Sequence, residues 1–369
     1  MQTTNDAPLA PMTTLHVGGT ADRLVETGTT EEFAAAVREA ERENAPLLVL
    51  GGGSNTLVCD EGWRGTVVRP RQDAVELLAQ AGPDDAHDAL VRCEAGAHWD
   101  GVVSFAVSHG LAGAEALSGI PGMIGSGVMQ NIGAYGQELG ESLVSVLLLD
   151  RATGEQVEMG ADELGLGYRT SMLRRSMEAP SGGKTWRPTP RWVVLESTFG
   201  FARSERGKVR HAQLAQALGV EVGAEMPVTA IRETVLSVRG HKAMLEDDPA
   251  AQSPDHDRWS SGSFFTNPVL NDAQARSLPQ DAPRYPAEDG RVKTSAAWLI
   301  EHAGFSKGYG TAGDDSRATL SRQHCLALTN RGHATAEDVL ELARTVRCGV
   351  FDKFGILLAP ETVLVGCEL

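Results

Sequence analysis

Long apolar runs are missing from this sequence. None approaches the ~20 residues a membrane-spanning helix needs, so no insertion into a membrane is expected. The N-terminus, M-Q-T-T-N-D-A-P, has no basic run followed by an apolar core, so no secretory leader is expected. Positive charge is also scarce: 33 Lys and Arg face 49 Asp and Glu, a formal net charge of −16. A chain this acidic is not expected on nucleic acid or an anionic surface, and any anionic ligand must meet cations placed locally. Cysteine is sparse and scattered. Cys59, Cys93, Cys325, Cys348 and Cys367 form no C-x-x-C pair, which points to reduced thiols, a cytoplasmic address and no zinc site.

Several catalytic signatures are absent too. There is no G-x-S-x-G and no H-E-x-x-H, and the ten histidines supply no ligand pair on one helical face, so no metal is expected. His16, His98 and His302 read as surface or satisfied core residues. A dinucleotide fingerprint from Gly51 would need glycine at 56, which is Thr56; a P-loop ending Gly183-Lys184-Thr185 would need glycine at 178, which is Glu178.

Glycine, in contrast, is abundant: 41 in 369 residues, about 11% against a usual ~7%. It concentrates in Leu117–Gln137, L-S-G-I-P-G-M-I-G-S-G-V-M-Q-N-I-G-A-Y-G-Q, where no residue is charged. Such a stretch is a poor helix and a poor strand. It is also too apolar for a solvated loop. The expectation is backbone packed inside the protein or against a ligand, with N–H groups free to cradle a pyrophosphate. A Gly-rich bend in a buried β element is the competing reading. A second site, G-G-G-S-N at 51–55, follows a short apolar strand at 46–50 and opens no helix. Two cradles suggest one long ligand carrying a diphosphate.

The length allows two or three domains, and 41% apolar with 22% charged residues is a globular composition. Helices are predicted over 29–44 (capped by Thr29 with Glu32), 99–109, 228–238, 295–302 and 335–354 (capped by Thr335 with Asp338). Strands are predicted over 64–69, 89–93, 143–149, 192–201, 324–329 and 356–365. Residues 81–88 and 178–190 read as exposed loops, and a domain boundary is placed near 240. The elements lack a regular β-α-β period, so the class is α+β. Three further motifs combine small polar and charged groups with glycine or aromatics: G-Y-R-T-S at 167–171, R-G-H-K at 239–242, and S-S-G-S-F-F-T-N-P at 260–268. In the last, two aromatics follow Ser263 and can shield it from water. Glu361 opens an otherwise apolar segment, A-P-E-T-V-L-V-G, where a carboxylate is either solvated or poised as an acid.

Together these motifs resemble the UDP-N-acetylenolpyruvoylglucosamine reductases, flavoenzymes that make UDP-N-acetylmuramate for peptidoglycan. The resemblance runs from T-T-L-H-V-G-G at 13–19 to P-E-T-V-L-V-G at 360–366 and includes A-A-W-L-I-E-H-A-G at 296–304. It implies an FAD-binding pair of α+β subdomains of the vanillyl-alcohol oxidase type, 1–75 and 76–238, then a substrate domain, 239–369, whose last strand carries Glu361. Non-covalent FAD is implied on Gly51, Gly52, Gly53, Ser54 and Asn55, and on Gly119, Pro121, Gly122, Gly125, Ser126, Gly127, Asn131, Gly133 and Ala134. No His or Cys stands in these stretches where a covalent flavin link would form. The catalytic positions fall on Arg169, Ser263 and Glu361; substrate contacts fall on Tyr168, Lys242 and Asn267. The family has a type with an insert and a substrate-covering Tyr loop. Residues 200–238 resemble that insert, but His211 stands where the Tyr is expected, as a residue that could stack on or hydrogen-bond a uridine diphosphate group.

The implied reaction is reduction of UDP-N-acetylglucosamine enolpyruvate by NADPH through FAD, by a monomer. No side chain delivers hydride, so a flavin is required. Arg169 would hold the developing negative charge on the substrate carboxylate, with Glu361 as second polariser in protonated or hydrogen-bonded form. Ser263 would give the proton. Another FAD oxidase or dehydrogenase of this fold would share the glycines but not Y-R, G-S-F-F-x-N-P and P-E together. A non-catalytic nucleotide-sugar binding protein would account for the glycines and Lys242 but not for Arg169, Ser263 and Glu361.

Overall fold

A computed structural model of the chain describes residues 1–78, 87–178, 186–247, 253–287 and 290–369. Parts of the predicted loops at 81–88 and 178–190, and of the polar stretch after 240, therefore lie outside the described residues. The chain forms two compact units. One comprises Met1–Ala7, Ala21–Gly52 and Arg64–Leu245; the other comprises Pro8–Thr20, Gly53–Trp63 and Glu246–Leu369. Strands and helices mix in each, with mostly antiparallel pairing, so the class is α+β.

In the first unit, helix α1 (Thr30–Arg42) starts where its cap predicts. Thr29 Oγ1 accepts the Glu32 N–H at 3.2 Å, and Phe33, Ala34, Ala36, Val37 and Ala40 bury one face. A four-stranded sheet runs in the order Gln2–Pro8, Thr20–Thr27, Trp63–Pro70, Leu47–Val49. Its last pair is parallel and sets Val49 opposite Val68, so the strand delivers Gly51 at the sheet's end. A larger antiparallel sheet is centred on Trp192–Arg203, flanked by Leu143–Asp150 and Ala89–Glu94. Helix α2 (Trp99–Ser108) and helix α3 (Ile124–Gln130) pack on it through Trp99, Val102, Ile124 and Val128, against Phe199 and Phe201. Helices α4 (Met172–Glu178), α5 (Ala212–Leu218) and α6 (Val228–His241) complete the unit.

Helix α3 corrects the expectation that 117–137 holds no helix. Gly125 and Gly127 each cost about 1 kcal/mol relative to Ala in a helix. Close packing accounts for Gly127, whereas the space at Gly125 would admit a Cβ in ordinary contact. A Cβ on Gly125 would lie 3.5 Å from Ala95 Cβ, and one on Gly127 would lie 3.3 Å from both Ile132 Cδ1 and Leu139 Cδ1. The exposed-loop reading of 178–190 also needs correction. Trp186 is 4% exposed and Thr189 1% exposed, and Thr189 Oγ1 accepts the Val49 N–H at 2.8 Å.

The second unit is organised on its longest helix. After α7 (Asp272–Ser277) and α8 (Ala296–His302), helix α9 (Ala336–Phe354) buries Val339, Leu342, Ala343, Val346 and Val350. Its cap is reciprocal: Thr335 Oγ1 accepts the Asp338 N–H, and Asp338 Oδ2 accepts the Thr335 N–H. A short parallel pair joins Val363–Val365 to Thr56–Val58, so of the predicted strand at 356–365 the last three residues form a strand, preceded by an isolated antiparallel bridge of Pro360 to Phe265. His16 stacks on Trp259 with ring centroids 4.2 Å apart, and burial pulls its imidazole below the usual value of 6.5.

Two expectations follow from this packing. Gly127→Val should overpack the α3 contact with Ile132 and Leu139, cost roughly 1–3 kcal/mol, and lower the thermal midpoint of FAD-free protein. An unchanged midpoint would contradict the packing role. His16 resists protonation when folded, so its contribution is present above about pH 6.5 and is lost as pH falls below it. Urea melts at pH 7.5 and 5.5 should show a smaller pH dependence for His16→Gln than for wild type; equal dependence would rule this out.

Candidate functional site

In the first unit the two glycine-rich stretches meet backbone to backbone. A Cβ on Gly52 would lie 2.9 Å from Gly122 Cα, closer than real side chains approach, so no other residue fits at 52 without parting the stretches. A Cβ on Gly51 would stand 3.5 Å from Ser126 Oγ. Most of the N–H groups expected to be free are not. Gly119 donates to Asp100 Oδ1 at 2.6 Å, Ile124 to Ala97 O at 2.9 Å, Gly125 to Ala95 O at 3.1 Å and Gly127 to Met123 O at 3.0 Å. These amides hold the cradle together. The N–H groups of Gly51 and Gly52 donate to no acceptor among the described residues. Arg69 and Gln72 follow Val68, the residue opposite Val49, and their buried Nε and Nε2 atoms have no partner among the described residues. Burial pulls the Arg69 guanidinium below its ordinary range. Open amides, a guanidinium and a carboxamide are donor types that suit a diphosphate.

Arg169 sits beside this cradle's C-terminal end, within the same unit. Gly167 and Thr170 exchange two backbone hydrogen bonds, a tight turn that places Arg169 at φ +53°. The turn is tied down by Asn131, whose Nδ2 donates to Gly167 O at 3.0 Å, and by Ser171, whose Oγ donates to Met129 O at 2.6 Å. The guanidinium then donates to Gly133 O at 2.6 Å and lies 5.5 Å from the Tyr168 ring centroid. Thus Asn131, Gly133, Tyr168 and Arg169, separate motifs in sequence, form one cluster. Strain at a non-glycine residue of positive φ is worth roughly 1–3 kcal/mol and persists only where neighbours enforce it.

Lys242 and His211 also come together. Lys242, which caps the end of α6, donates from Nζ to Gln213 Oε1 at 2.8 Å and lies 6.0 Å from the Tyr135 ring centroid. His211 caps the start of α5: its Nδ1 accepts the Gln213 N–H at 3.2 Å, and its ring meets Tyr135 edge-on at 5.6 Å. Burial, and secondly the Lys242 charge, lower the His211 pKa, so its imidazole is held neutral.

The second unit supplies a distinct cluster. Glu361 N–H donates to Phe264 O at 2.8 Å and Thr266 N–H to Ala359 O at 3.0 Å, a local strand pairing that brings Glu361 beside the residue after Ser263. Asn55 Nδ2 donates to Glu361 O at 3.2 Å. Phe264 and Phe265, both at most 1% exposed, anchor the pairing in the core. Gly262 at φ +72° turns the chain into it, and the Ser263 hydroxyl has no hydrogen-bond partner among the described residues. Asn267 Oδ1 accepts the Ala296 N–H at 2.9 Å at the start of α8.

Four site residues escaped the sequence reading: Tyr135, Arg239, Arg69 and Gln72. Tyr135 lies in the Gly-rich stretch as its one phenol, at φ +49°, and joins Lys242 to His211. Arg239 opens the R-G-H-K motif and, 6% exposed, donates to Gly119 O at 3.1 Å and Met244 O at 2.7 Å. A buried arginine beside a glycine cradle was a usable signal in both that motif and R-P-R at 69–71.

Residues 253–365 match the family model for the UDP-N-acetylenolpyruvoylglucosamine reductase C-terminal domain, and residues 21–160 match the FAD binding domain. The UDP-N-acetylenolpyruvoylglucosamine reductase of Cutibacterium acnes is 46% identical over 365 residues, covering 99% of this chain and 90% of the relative. That of Nocardia farcinica is 48% identical, covering 98% of this chain and 89% of the relative. The solved UDP-N-acetylenolpyruvylglucosamine reductase of Thermus caldophilus superposes with a TM-score of 0.60 at 26% identity, covering 99% of this chain and 98% of that one. The donor set at Gly51, Gly52, Arg69 and Gln72 fits the diphosphate of FAD. On the shared length, the two domain matches and this donor set, the chain belongs to the UDP-N-acetylenolpyruvoylglucosamine reductase family and is an FAD-binding oxidoreductase.

Proposed function

We propose that this protein reduces UDP-N-acetylglucosamine enolpyruvate to UDP-N-acetylmuramate, a peptidoglycan precursor, with NADPH as electron donor, as a cytoplasmic monomer. The observation that carries the reading is the Phe264–Glu361 pairing: the carbonyl of the residue after Ser263 accepts the Glu361 N–H, over a buried Phe264–Phe265 pair. On this reading residues 1–75 and 76–238 bind the cofactor and 239–369 the substrate.

When bound, FAD supplies the hydride, which it takes from NADPH. Gly51, Gly52, Arg69 and Gln72 bind its diphosphate, and the interlocked Gly52 and Gly122 fix where that diphosphate rests. Arg169 holds the substrate carboxylate. Its positive charge is worth most where negative charge grows in the transition state. Glu361 polarises the same group. Ser263 gives its Oγ proton to the carbon that carries the developing charge. Lys242 and the Asn267 amide bind the nucleotide diphosphate, with Tyr168 at the sugar–pyruvate end. His211, neutral and tied to Gln213, contacts the diphosphate as a hydrogen-bonding group rather than as a cation.

Ser263→Ala should lower the rate of substrate-driven flavin reoxidation roughly 10²–10⁴-fold, while bleaching of the flavin by NADPH stays near wild type. Stopped-flow absorbance of the two half-reactions separates them, and an equal loss in both would refute the proton-donor role. Gly52→Val should yield colourless protein that still unfolds cooperatively. Full FAD content, read from the ratio of flavin to protein absorbance, would remove Gly52 from the cofactor site.

A further inference from the structure

The first unit contains a cavity of about 970 Å³ that shares no residue with the glycine cradle, the Arg169 cluster or the Lys242 cluster. It opens between α1, the turn after Leu143–Asp150, and Trp186. Its lining carries four arginines, Arg38, Arg42, Arg151 and Arg191, against one carboxylate, Glu41. On a chain with 16 more acidic than basic charges, that reversal calls for a cause.

Two of the four guanidiniums are structural. Arg151, with a side chain 6% exposed, pairs with Glu41 at 2.5 Å, donates to Pro190 O at 3.0 Å and lies 4.9 Å from the Trp186 ring centroid. Arg191 forms a two-pronged bond to Asp150, at 2.8 and 2.7 Å. The other two are not compensated. Arg38 uses its Nε on Gly154 O at 2.7 Å, and Arg42 uses its Nε on Arg38 O at 3.4 Å. Neither pairs with a carboxylate among the described residues. Their spacing along α1 is i to i+4, which sets two like charges side by side at a small cost to the helix. Placement in the last turns of α1 offsets part of that cost through the helix dipole. The dipole does not explain why two arginines without a carboxylate partner among the described residues line the same cavity.

We propose that this cavity is a second ligand site, for a small organic anion carrying two adjacent phosphates. Arg38 and Arg42 each take one phosphate through their terminal nitrogens, in the two-pronged geometry that guanidinium favours. Arg151 and Arg191 hold the wall in place.

Inorganic pyrophosphate, titrated calorimetrically into FAD-loaded protein, tests the proposal. Wild type should bind it, with affinity falling as salt rises. Arg38→Gln/Arg42→Gln should weaken this binding at least tenfold with unchanged flavin content and thermal midpoint. Thr153→Glu, which adds a carboxylate at an exposed position in the lining, should weaken it as well. Lys242→Ala should retain it, which separates the cavity from the nucleotide-binding cluster. Orthophosphate should bind at least tenfold more weakly than pyrophosphate. The proposal is overturned if both cavity variants bind pyrophosphate as wild type does, if Lys242→Ala alone abolishes all binding, or if orthophosphate binds equally well.

Discussion

The contact between Gly52 and Gly122 is the constraint on which the cofactor end of the molecule depends. A Cβ at 52 would lie 2.9 Å from the Gly122 backbone, so two segments seventy residues apart touch through main chain alone. Contact at that range orders both segments at once. The Leu47–Val49 strand ends against the start of α3, and the N–H groups of Gly119, Ile124, Gly125 and Gly127 are consumed in holding the junction. What is left to face a ligand is a small set of donors: two amides and the buried ends of Arg69 and Gln72. Dense glycine here serves close packing first and ligand binding second.

How the protein handles cations follows from its acidity. Some arginines meet carboxylates: Arg151 with Glu41, Arg191 with Asp150, Arg232 with Asp100. Others are fixed by carbonyl oxygens. Arg169 holds Gly133 O, and Arg239 holds Gly119 O and Met244 O. The distinction is functional. A carboxylate cancels the guanidinium charge, whereas a carbonyl fixes its direction and leaves the charge to act on whatever anion arrives.

Much of this was legible beforehand. The caps at Thr29 and Thr335 located their helices because hydroxyl, spacing and carboxylate all act within one turn. The motifs at 167–171 and 260–268 flagged Arg169 and Ser263 for the same local reason. Helix α3 runs against glycine propensity, and only the facing side chains Ile132 and Leu139 show why glycine is kept at 127. Trp186 and Thr189 were assigned to an exposed loop because their neighbours are polar and proline-rich. Their burial comes from partners such as Val49 and Arg151, which are distant in sequence.

The sequence alone determined composition, charge, the α+β class, helix starts and the motifs that name the family, since each of these is written in residue types and short spacings. Tertiary structure decided which donors stay open. Whether an amide or guanidinium is spent depends on an acceptor contributed from elsewhere in the chain, as with Gly119 on Asp100 or Arg169 on Gly133. Pairing at a distance has no local signature, so the free amides of Gly51 and Gly52, the role of Tyr135 beside Lys242, and the bare arginines of the second cavity emerged only once the chain was folded.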